Sequence, residues 1–545
     1  TIRLLHKGSA FDERPKDWRP VVLLNSTNQL VMHVINTRLR NIVEKAGILE
    51  PGQAGGRQGR GTDINMAKLD WVTRTALAQN QTVYRVDVDF SNAYNAMNQA
   101  ALWAIMRAYN IPDVDFLMSL YEHSTVRVSP NDESCATITF DTGVAQGSVL
   151  SPLLFLIFMN ALLGLLTARG KRMRISHGLT NEGVGQFNNM GYVDDLSLFA
   201  QSLGGSQALL DTVQEFEEWS GMRVNREKTK LLVIGMKKNT GLPREGVQYQ
   251  GAPIETLDAS AACRYLGYWG TANGDMAETK RKIWKKTEEA RELMEHHPLT
   301  AARAIELFVS IGVGAFRYSA AIVPWTEREL QELEKVWIQA YKKAWHLPLT
   351  TASDIFTLPV EQGGLGLPRP LGIITQELCK HLQRCMRHED AAKHLTLLEF
   401  EQTKARWACN SMSDLCDEME LWSWDQAMSS KWTRAAKGLQ LLNISMTWLL
   451  DEPVRDSETA SLAKATRDVR RLRRRVEAIG GQREHWSDGT WHMEQEQWRL
   501  LWDGEDAFWQ CIPHLKKAGI TKVDQLPQEV RPAERGVQLP RLFQQ

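Results

Sequence analysis

Charge of one sign is missing from this chain: 65 Lys and Arg balance 65 Asp and Glu over 545 residues. A net charge of zero gives no overall pull toward a polyanion, so any nucleic-acid surface must come from local segregation of charge. Cysteine is scarce. The seven (Cys135, Cys263, Cys379, Cys385, Cys409, Cys416 and Cys511) are odd in number and scattered, which argues against a disulfide framework and for a reducing compartment. Cys379, Cys385 and His388 are close in sequence, but no second ligand pair with zinc-finger spacing completes them. Long apolar runs are missing too. The most apolar stretch, Leu153 to Leu166, is too short to span a bilayer and contains Asn160, so a buried helix and no membrane partner are expected. There is no signal-peptide pattern and no internal repeat. The sequence opens on Thr1, so a fragment or a processed chain is expected. What is present is a 43% hydrophobic composition, enough for a sizeable core. The length suits three or four domains or one large multi-lobed enzyme.

Along the chain, residues 1 to 80 hold twelve Lys and Arg against seven Asp and Glu, a local excess of +5. Residues 82 to 235 alternate strand-like and helix-like stretches. Residues 276 to 347 are charged and helical in pattern, punctuated by Pro298 and Pro324. The Gly/Pro-rich stretch Glu361 to Gly372 reads as a boundary. Beyond it the chain is helix-rich, with many Trp and a basic run from Lys464 to Arg475 that suits a solvated helix face or a nucleic-acid contact. The late tryptophans, Trp486, Trp491, Trp498, Trp502 and Trp509, suit helix–helix contacts better than base stacking.

Three segments carry chemistry. In Thr82 to Phe90, Val86, Val88 and Phe90 fall at period two, which predicts a strand with one buried face and Asp87 and Asp89 together on the other. Two carboxylates on one face repel, and a hard divalent cation would relieve that repulsion. Taken alone, an exposed strand with solvated acids explains the pattern as well. Asn189 to Ala200 has apolar residues on both sides of Asp194-Asp195 and reads as a hairpin with the acids at the tight turn. Because side chains alternate, one of the two points directly at any site: Asp194 as ligand, Asp195 in support. Between them, Gly143 and Gly147 flank Gln146 and let backbone approach a ligand closely. Ser151 fits a helix N-cap and Pro152 the first helical position. Such a junction can face a nucleotide or serve as a plain loop into a helix.

In this order and spacing the segments resemble the palm of reverse transcriptases, most closely those of non-LTR (LINE-type) retrotransposons. The first motif is an Asp with an aromatic five residues on, here Asp89 and Tyr94. The second is GVAQGSVLSP, Gly143 to Pro152, and the third is YVDD, Tyr192 to Asp195. Flanking stretches match as well: DWRPVVLLN from Asp17, QAGGRQGRGTD from Gln53, GMRVNREKTK from Gly221, RYLGYWG from Arg264 and LPVEQGGLGLPRP from Leu358. The resemblance covers roughly residues 3 to 385. Three positions depart from the family's usual residues: Asn95 stands where Asp is common, Gly56 where Phe is common, and Gln29 near a common Lys or Arg. No upstream endonuclease, CCHC knuckle or RNase H motif is found.

The resemblance implies an α+β fold, a right-hand polymerase. It has fingers (1–81), a palm with an antiparallel sheet and fingers insertions (82–275) and a helical thumb and connector (276–372); the helix-rich C-terminal region (373–545), read from the sequence pattern, has no role that the resemblance assigns. It implies RNA-directed DNA synthesis with RNA template, DNA primer and dNTPs as partners, Mg2+ (or Mn2+) as cofactor, and target priming as the mode. Asp89 and Asp194 would bridge the metal ions, with Asp195 in support and the Phe90 carbonyl as a further ligand. Tyr94 would exclude a 2′ hydroxyl. Gln146 and Gly147 would face the nascent base pair. Arg19 and Arg57, with Arg60 a weaker alternative, would meet the triphosphate. Lys228 would neutralise or protonate the leaving pyrophosphate. Tyr265, Leu266 and Gly267 would grip the primer, and basic thumb helices such as Lys280 to Lys286 would track the duplex. Location in the nucleus or in a cytoplasmic ribonucleoprotein is expected. Two other readings stay open: a decayed or domesticated remnant that binds RNA or serves as a structural subunit, and a maturase- or telomerase-like polymerase with a different RNA.

Overall fold

The computed structural model describes residues 2–6, 18–122, 124–128, 136–139, 142–170, 187–235, 246–387 and 390–444. The basic run at 464–475, the late tryptophans, Cys135, Cys511, His388 and the side chain of Arg19 lie outside the described residues. The chain forms two compact units: Thr1–Glu289 with Gln383–Leu395, and Ala290–Leu382 with Thr396–Gln545. The first unit ends inside the segment read from sequence as thumb and takes back a short stretch from beyond it.

The first unit opens with β1 (Ile2–His6) and β2 (Trp18–Val22), an antiparallel pair. Two helices follow, α1 (Ser26–Lys45) and α2 (Thr62–Gln79), and then β3 (Val83–Val88). After β3 come three helices, α3 (Ala93–Ala96), α4 (Gln99–Ala108) and α5 (Val114–Glu122), and a second antiparallel pair, β4 (Thr125–Val128) and β5 (Ala136–Thr139). The four outer strands form one sheet in the order β2-β1-β4-β5. Next are α6 (Ser151–Arg169), the hairpin β6 (Asn189–Tyr192) and β7 (Asp195–Ala200), α7 (Leu203–Ser220), and β8 (Lys230–Ile234). Short strands complete the unit: β9 (Gln248–Tyr249), β10 (Ala252–Pro253), β11 (Glu255–Thr256), β12 (Cys263–Tyr265) and β13 (Tyr268–Gly270), followed by α8 (Ala277–His296).

The central sheet runs β11-β8-β3-β7-β6, with β3 antiparallel to both β7 and β8. Val86 and Val88 on β3 and Leu196 and Leu198 on β7 are buried together, and Ser197 and Phe199 on the alternate face of β7 are buried as well, so both faces of this strand are covered. The apolar run is α6. It is apolar on every face because it is enclosed: Leu153 through Phe158 are each fully buried, and the helix packs against α4, α7 and β6. Asn160, the polar residue in that run, donates to the Ile48 carbonyl at 2.8 Å and to the Tyr109 hydroxyl at 2.9 Å. Ser151 is the first helical residue and not the cap, a correction of one position. Its hydroxyl donates back to the Ala145 carbonyl at 2.8 Å, which ties the helix start to the Gln-Gly loop.

The returning stretch 383–395 is bound by charge. Arg60 donates to Asp390 at 2.5 Å with both side chains almost wholly buried, and Arg384 pairs with Asp63 at 2.9 Å. Lys68, buried beside them, is held down to about 8, first by burial, with Asp390 opposing. Removing one partner of a buried ion pair strands the other charge away from water. Asp390→Ala is therefore expected to destabilise the first unit by about 3–5 kcal/mol, read as a lower melting temperature. An unchanged transition would show that the pair contributes nothing net.

The second unit is helical: α9 (Ala301–Phe308), a π-helical turn at Val309–Val313, α10 (Gly314–Ser319), α11 (Glu327–Ala344), α12 (Asp354–Thr357), α13 (Pro370–Met386), α14 (Ala391–Trp407), α15 (Met412–Met419) and α16 (Lys431–Leu441). The ends of α13 and α14 belong to the first unit. Capping boxes at Thr326/Glu329 and Ser430/Thr433 start α11 and α16. Trp325, Trp337, Trp424 and Trp432 fill its core, and Trp424 donates its indole N–H to the Trp325 carbonyl at 2.7 Å.

Candidate active site

The acids meet at the end of the central sheet. β6 and β7 pair through Tyr192 opposite Asp195, so Val193 and Asp194 form a two-residue turn. Val193 sits at φ +60°, in the left-handed region that a β-branched residue rarely enters. Asp89 follows β3 directly. Its carbonyl accepts from the Asn225 N–H at 2.7 Å, and the Ser91 N–H donates to the Arg223 carbonyl at 2.8 Å. These bonds flank the antiparallel Phe90–Val224 pair, so the Phe90 carbonyl points away from that ladder.

Electrostatics join the three acids. The Asp195 carboxyl is pushed up to about 6, first by burial, then by Asp194, Asp89 and Asp87, against a smaller pull from Arg264. Asp89 is also raised, by burial first and by Asp194, with Lys228 opposing. Lys228 Nζ lies 3.9 Å from the Asp89 carboxylate and is mostly exposed. Asp87 is committed elsewhere. Arg85 grips both of its oxygens at 2.8 Å, and the Ser197 hydroxyl donates to it at 2.6 Å. These contacts leave Asp87 outside the ligand set. Among the described residues no three Asp, Glu, His or Cys side chains close around one point as a finished ligand shell would. The three acids share a neighbourhood of like charge, and their donors are all carboxylate oxygens. That chemistry fits a hard divalent cation.

A pH dependence follows. Without metal, Asp195 binds its proton more tightly folded than unfolded, so its contribution to stability is complete below the ordinary carboxylate range and is lost as pH rises through about 6. Asp195→Asn cannot ionise. In chelator it is expected to melt above the parent protein at about pH 7.5 and to lose that advantage at about pH 5. An equal advantage at both would remove the ionisation of Asp195, opposed by its burial and then by its acidic neighbours, as the cause.

The Gln-Gly loop lies against β2. The Val22 N–H donates to the Gln146 carbonyl at 2.6 Å, and the Gln29 side chain donates to the Gly147 carbonyl at 3.1 Å. Gly147, at φ +123°, would place a Cβ 2.4 Å from the Val22 carbonyl oxygen, so only glycine fits. Tyr94 stacks on Phe155 with ring centroids 4.6 Å apart. Its phenol is pushed up to about 12, by burial and then by Asp194, which places the ring beside the carboxylate turn.

Other expected contacts change. Arg57 is no free phosphate ligand. It donates to Glu44 at 3.1 and 2.7 Å and to the Leu49 and Glu50 carbonyls at 3.3 and 3.1 Å. Arg60 is likewise spent on Asp390 and the Pro51 carbonyl. β12 and β13 are joined by Leu266-Gly267, both at positive φ as a tight hairpin turn requires. Tyr265 is buried beneath them with Arg85 over its ring at 4.4 Å, so its side chain braces the sheet and does not face outward. On α8, Arg281, Lys282, Lys285 and Lys286 pair with Glu278 or Glu289 in the same helix, which reduces the charge available to a duplex.

Two residues without an assigned role hold the hairpin. Gln53 meets Val193, and Asn65 donates to the Gly191 carbonyl at 3.0 Å. Gln53 opens one of the motifs singled out from sequence, but a side chain holding backbone 140 residues away leaves no periodicity to read.

Residues 5–269 match the family model for reverse transcriptase (RNA-dependent DNA polymerase). Among curated relatives, a Pol polyprotein from the type-2 retrotransposable element R2DM of Drosophila melanogaster is 26% identical over 65% of this chain and 33% of its own length. One from the type-1 retrotransposable element R2 of Popillia japonica is 25% identical over 65% of this chain and 49% of its own. The chain thus spans a third to a half of these relatives. Among solved structures, telomerase of Candida tropicalis in complex with a fragment of telomeric RNA is similar over 80% of this chain and 64% of that one, at 12% identity and a TM-score of 0.36.

Proposed function

We propose that this chain, whose residues 5–269 match the reverse transcriptase family model, is the RNA-directed DNA polymerase portion of a non-LTR retrotransposon. It would extend a DNA primer on retroelement RNA by target priming. The single observation that carries the reading is the convergence of Asp89, Asp194 and Asp195 at the end of one sheet, with Tyr94 beside them.

The family uses divalent metals, and Mg2+ is the ion proposed here, with Mn2+ able to substitute. Asp89 and Asp194 would hold it, with Asp195 and the Phe90 carbonyl in support. Bound there, such ions lower the cost of forming the attacking oxyanion and of releasing pyrophosphate. The chain's own part is placement. The hairpin and β3 fix the carboxylates, and Lys228 offers positive charge next to Asp89. The Gln146-Gly147 loop gives bare backbone for a base pair to lie against. The primer 3′ hydroxyl would give up its proton to water and attack the α-phosphate of a dNTP; the new O–P bond forms as the bond between the α-phosphorus and its bridging oxygen to the β-phosphate breaks, and pyrophosphate leaves. The reading also puts the protein in the nucleus or in a cytoplasmic ribonucleoprotein.

Primer extension on poly(rA)/oligo(dT) with Mg2+ or Mn2+ tests the proposal. DNA synthesis that needs the ion and the RNA template supports it. RNA binding with no synthesis under either ion would favour the domesticated remnant.

A further inference from the structure

The segment 52–55 makes an isolated β-bridge beside β6. Gln53 pairs in parallel with Gly191, the Gly191 N–H donates to the Gly52 carbonyl at 3.0 Å, and the Ala54 N–H donates to the Gly191 carbonyl at 2.9 Å. From there the Gln53 side chain reaches the carboxylate turn. Its Oε1 accepts from the Val193 N–H at 2.9 Å and from the Gly55 N–H at 2.9 Å, and its Nε2 donates to the Val193 carbonyl at 3.4 Å. Two backbone donors converging on Oε1 fix the orientation of the amide. Gln53 is 1% exposed, so water does not compete for these bonds.

The residue it holds is the strained one. A two-residue hairpin turn with positive φ at its first position favours glycine, and Val193 occupies that position at φ +60°. Such a conformation persists only where its surroundings hold it. Gly55 permits the approach, since a Cβ there would lie 2.5 Å from the Val193 nitrogen.

We propose that Gln53 is a positioning residue for the polymerase centre: one carboxamide holds both backbone groups of Val193 and so sets the turn in which Asp194 and Asp195 stand. The inference rests on the polymerase reading for its kinetic consequence, but not for the clamp itself. Gln53→Met keeps length and removes the hydrogen bonds. It is expected to lower kcat for primer extension by about 10–100-fold, because small displacements of reacting groups cost that much, while KM for dNTP and RNA affinity stay within about twofold. Val193→Gly relieves the backbone strain, so the same substitution in a Val193→Gly background should cost markedly less. Hydrogen exchange supplies a readout apart from activity: the Val193 amide should exchange at least about tenfold faster in Gln53→Met.

An unchanged kcat in a folded Gln53→Met protein, or an equal loss in both backgrounds, overturns the positioning role. Should Gln53→Met not fold, Gln53→Asn takes its place in the same cycle. If the parent protein synthesises no DNA, the polymerase reading fails separately. The Val193 exchange rate then decides the clamp, faster exchange sustaining it and an unchanged rate overturning it.

Discussion

Asp194→Ala is expected to reduce primer extension by at least about a thousandfold while leaving RNA binding nearly intact. The size follows from the site's charge. Asp194 raises both Asp89 and Asp195, so it lies within strong electrostatic reach of each. Removing it takes away one of the two carboxylates proposed to hold the metal. Asp194 occupies the second position of a two-residue turn, where its φ is ordinary, and the clamp from Gln53 acts on Val193. Loss of like-charge repulsion should leave the metal-free protein as stable as its parent or slightly more so. Single-turnover extension and filter binding on the same preparation separate the two effects. Near-normal extension would sink the metal assignment, and loss of RNA binding in parallel would point to a folding defect.

How far the site could be read from sequence depends on which interactions leave a local trace. The hairpin at Tyr192 to Asp195 was legible because alternating apolar residues flank it, and β3 because Val86 and Val88 fall at period two. The sheet order was not, since it depends on pairing between strands more than a hundred residues apart, such as Asp87 with Ser197. Glycines were legible as close approaches, but not the atom approached: Gly147 turned out to face the Val22 carbonyl. Residue type misled most at Arg57. A guanidinium suits phosphate and carboxylate equally, and the fold supplies Glu44 from α1. The departure at Gly56 has a local reason as well: it sits at φ +65°, where a bulky side chain would be strained. The motif around Gln53 thus serves a purpose its basic residues hid. Arg57 and Arg60 hold the carbonyls of Leu49, Glu50 and Pro51, and so anchor the segment from which Gln53 reaches the turn.

Tyr94→Ala is expected to admit ribonucleotides, raising their use relative to dNTPs by roughly 10–100-fold. The ring is held by one stacking contact, and its backbone by two close neighbours. Phe155 of α6, fully buried, stacks on it with an interplanar angle of 18°. The Val144 N–H donates to the Tyr94 carbonyl at 3.0 Å, and Gly143, at φ +76°, presses close to the same carbonyl. Asp194 lies within electrostatic reach of the phenol, and the sugar of an incoming nucleotide would sit on that side. A ring held this firmly cannot move aside for a 2′ hydroxyl, and exclusion by shape needs only the ring, not the phenol. Tyr94→Phe should therefore keep the discrimination that Tyr94→Ala loses. Alanine also forfeits the stacking on Phe155, about 0.5–1.5 kcal/mol beyond area burial, so absolute rates will fall for reasons unrelated to sugar choice. The informative quantity is the ratio of kcat/KM for a dNTP to that for its ribonucleotide, measured for parent, Phe and Ala proteins on one template. A ratio that Ala leaves unchanged refutes the gate. A ratio that Phe lowers as much as Ala does would move the selectivity to the phenol's hydroxyl.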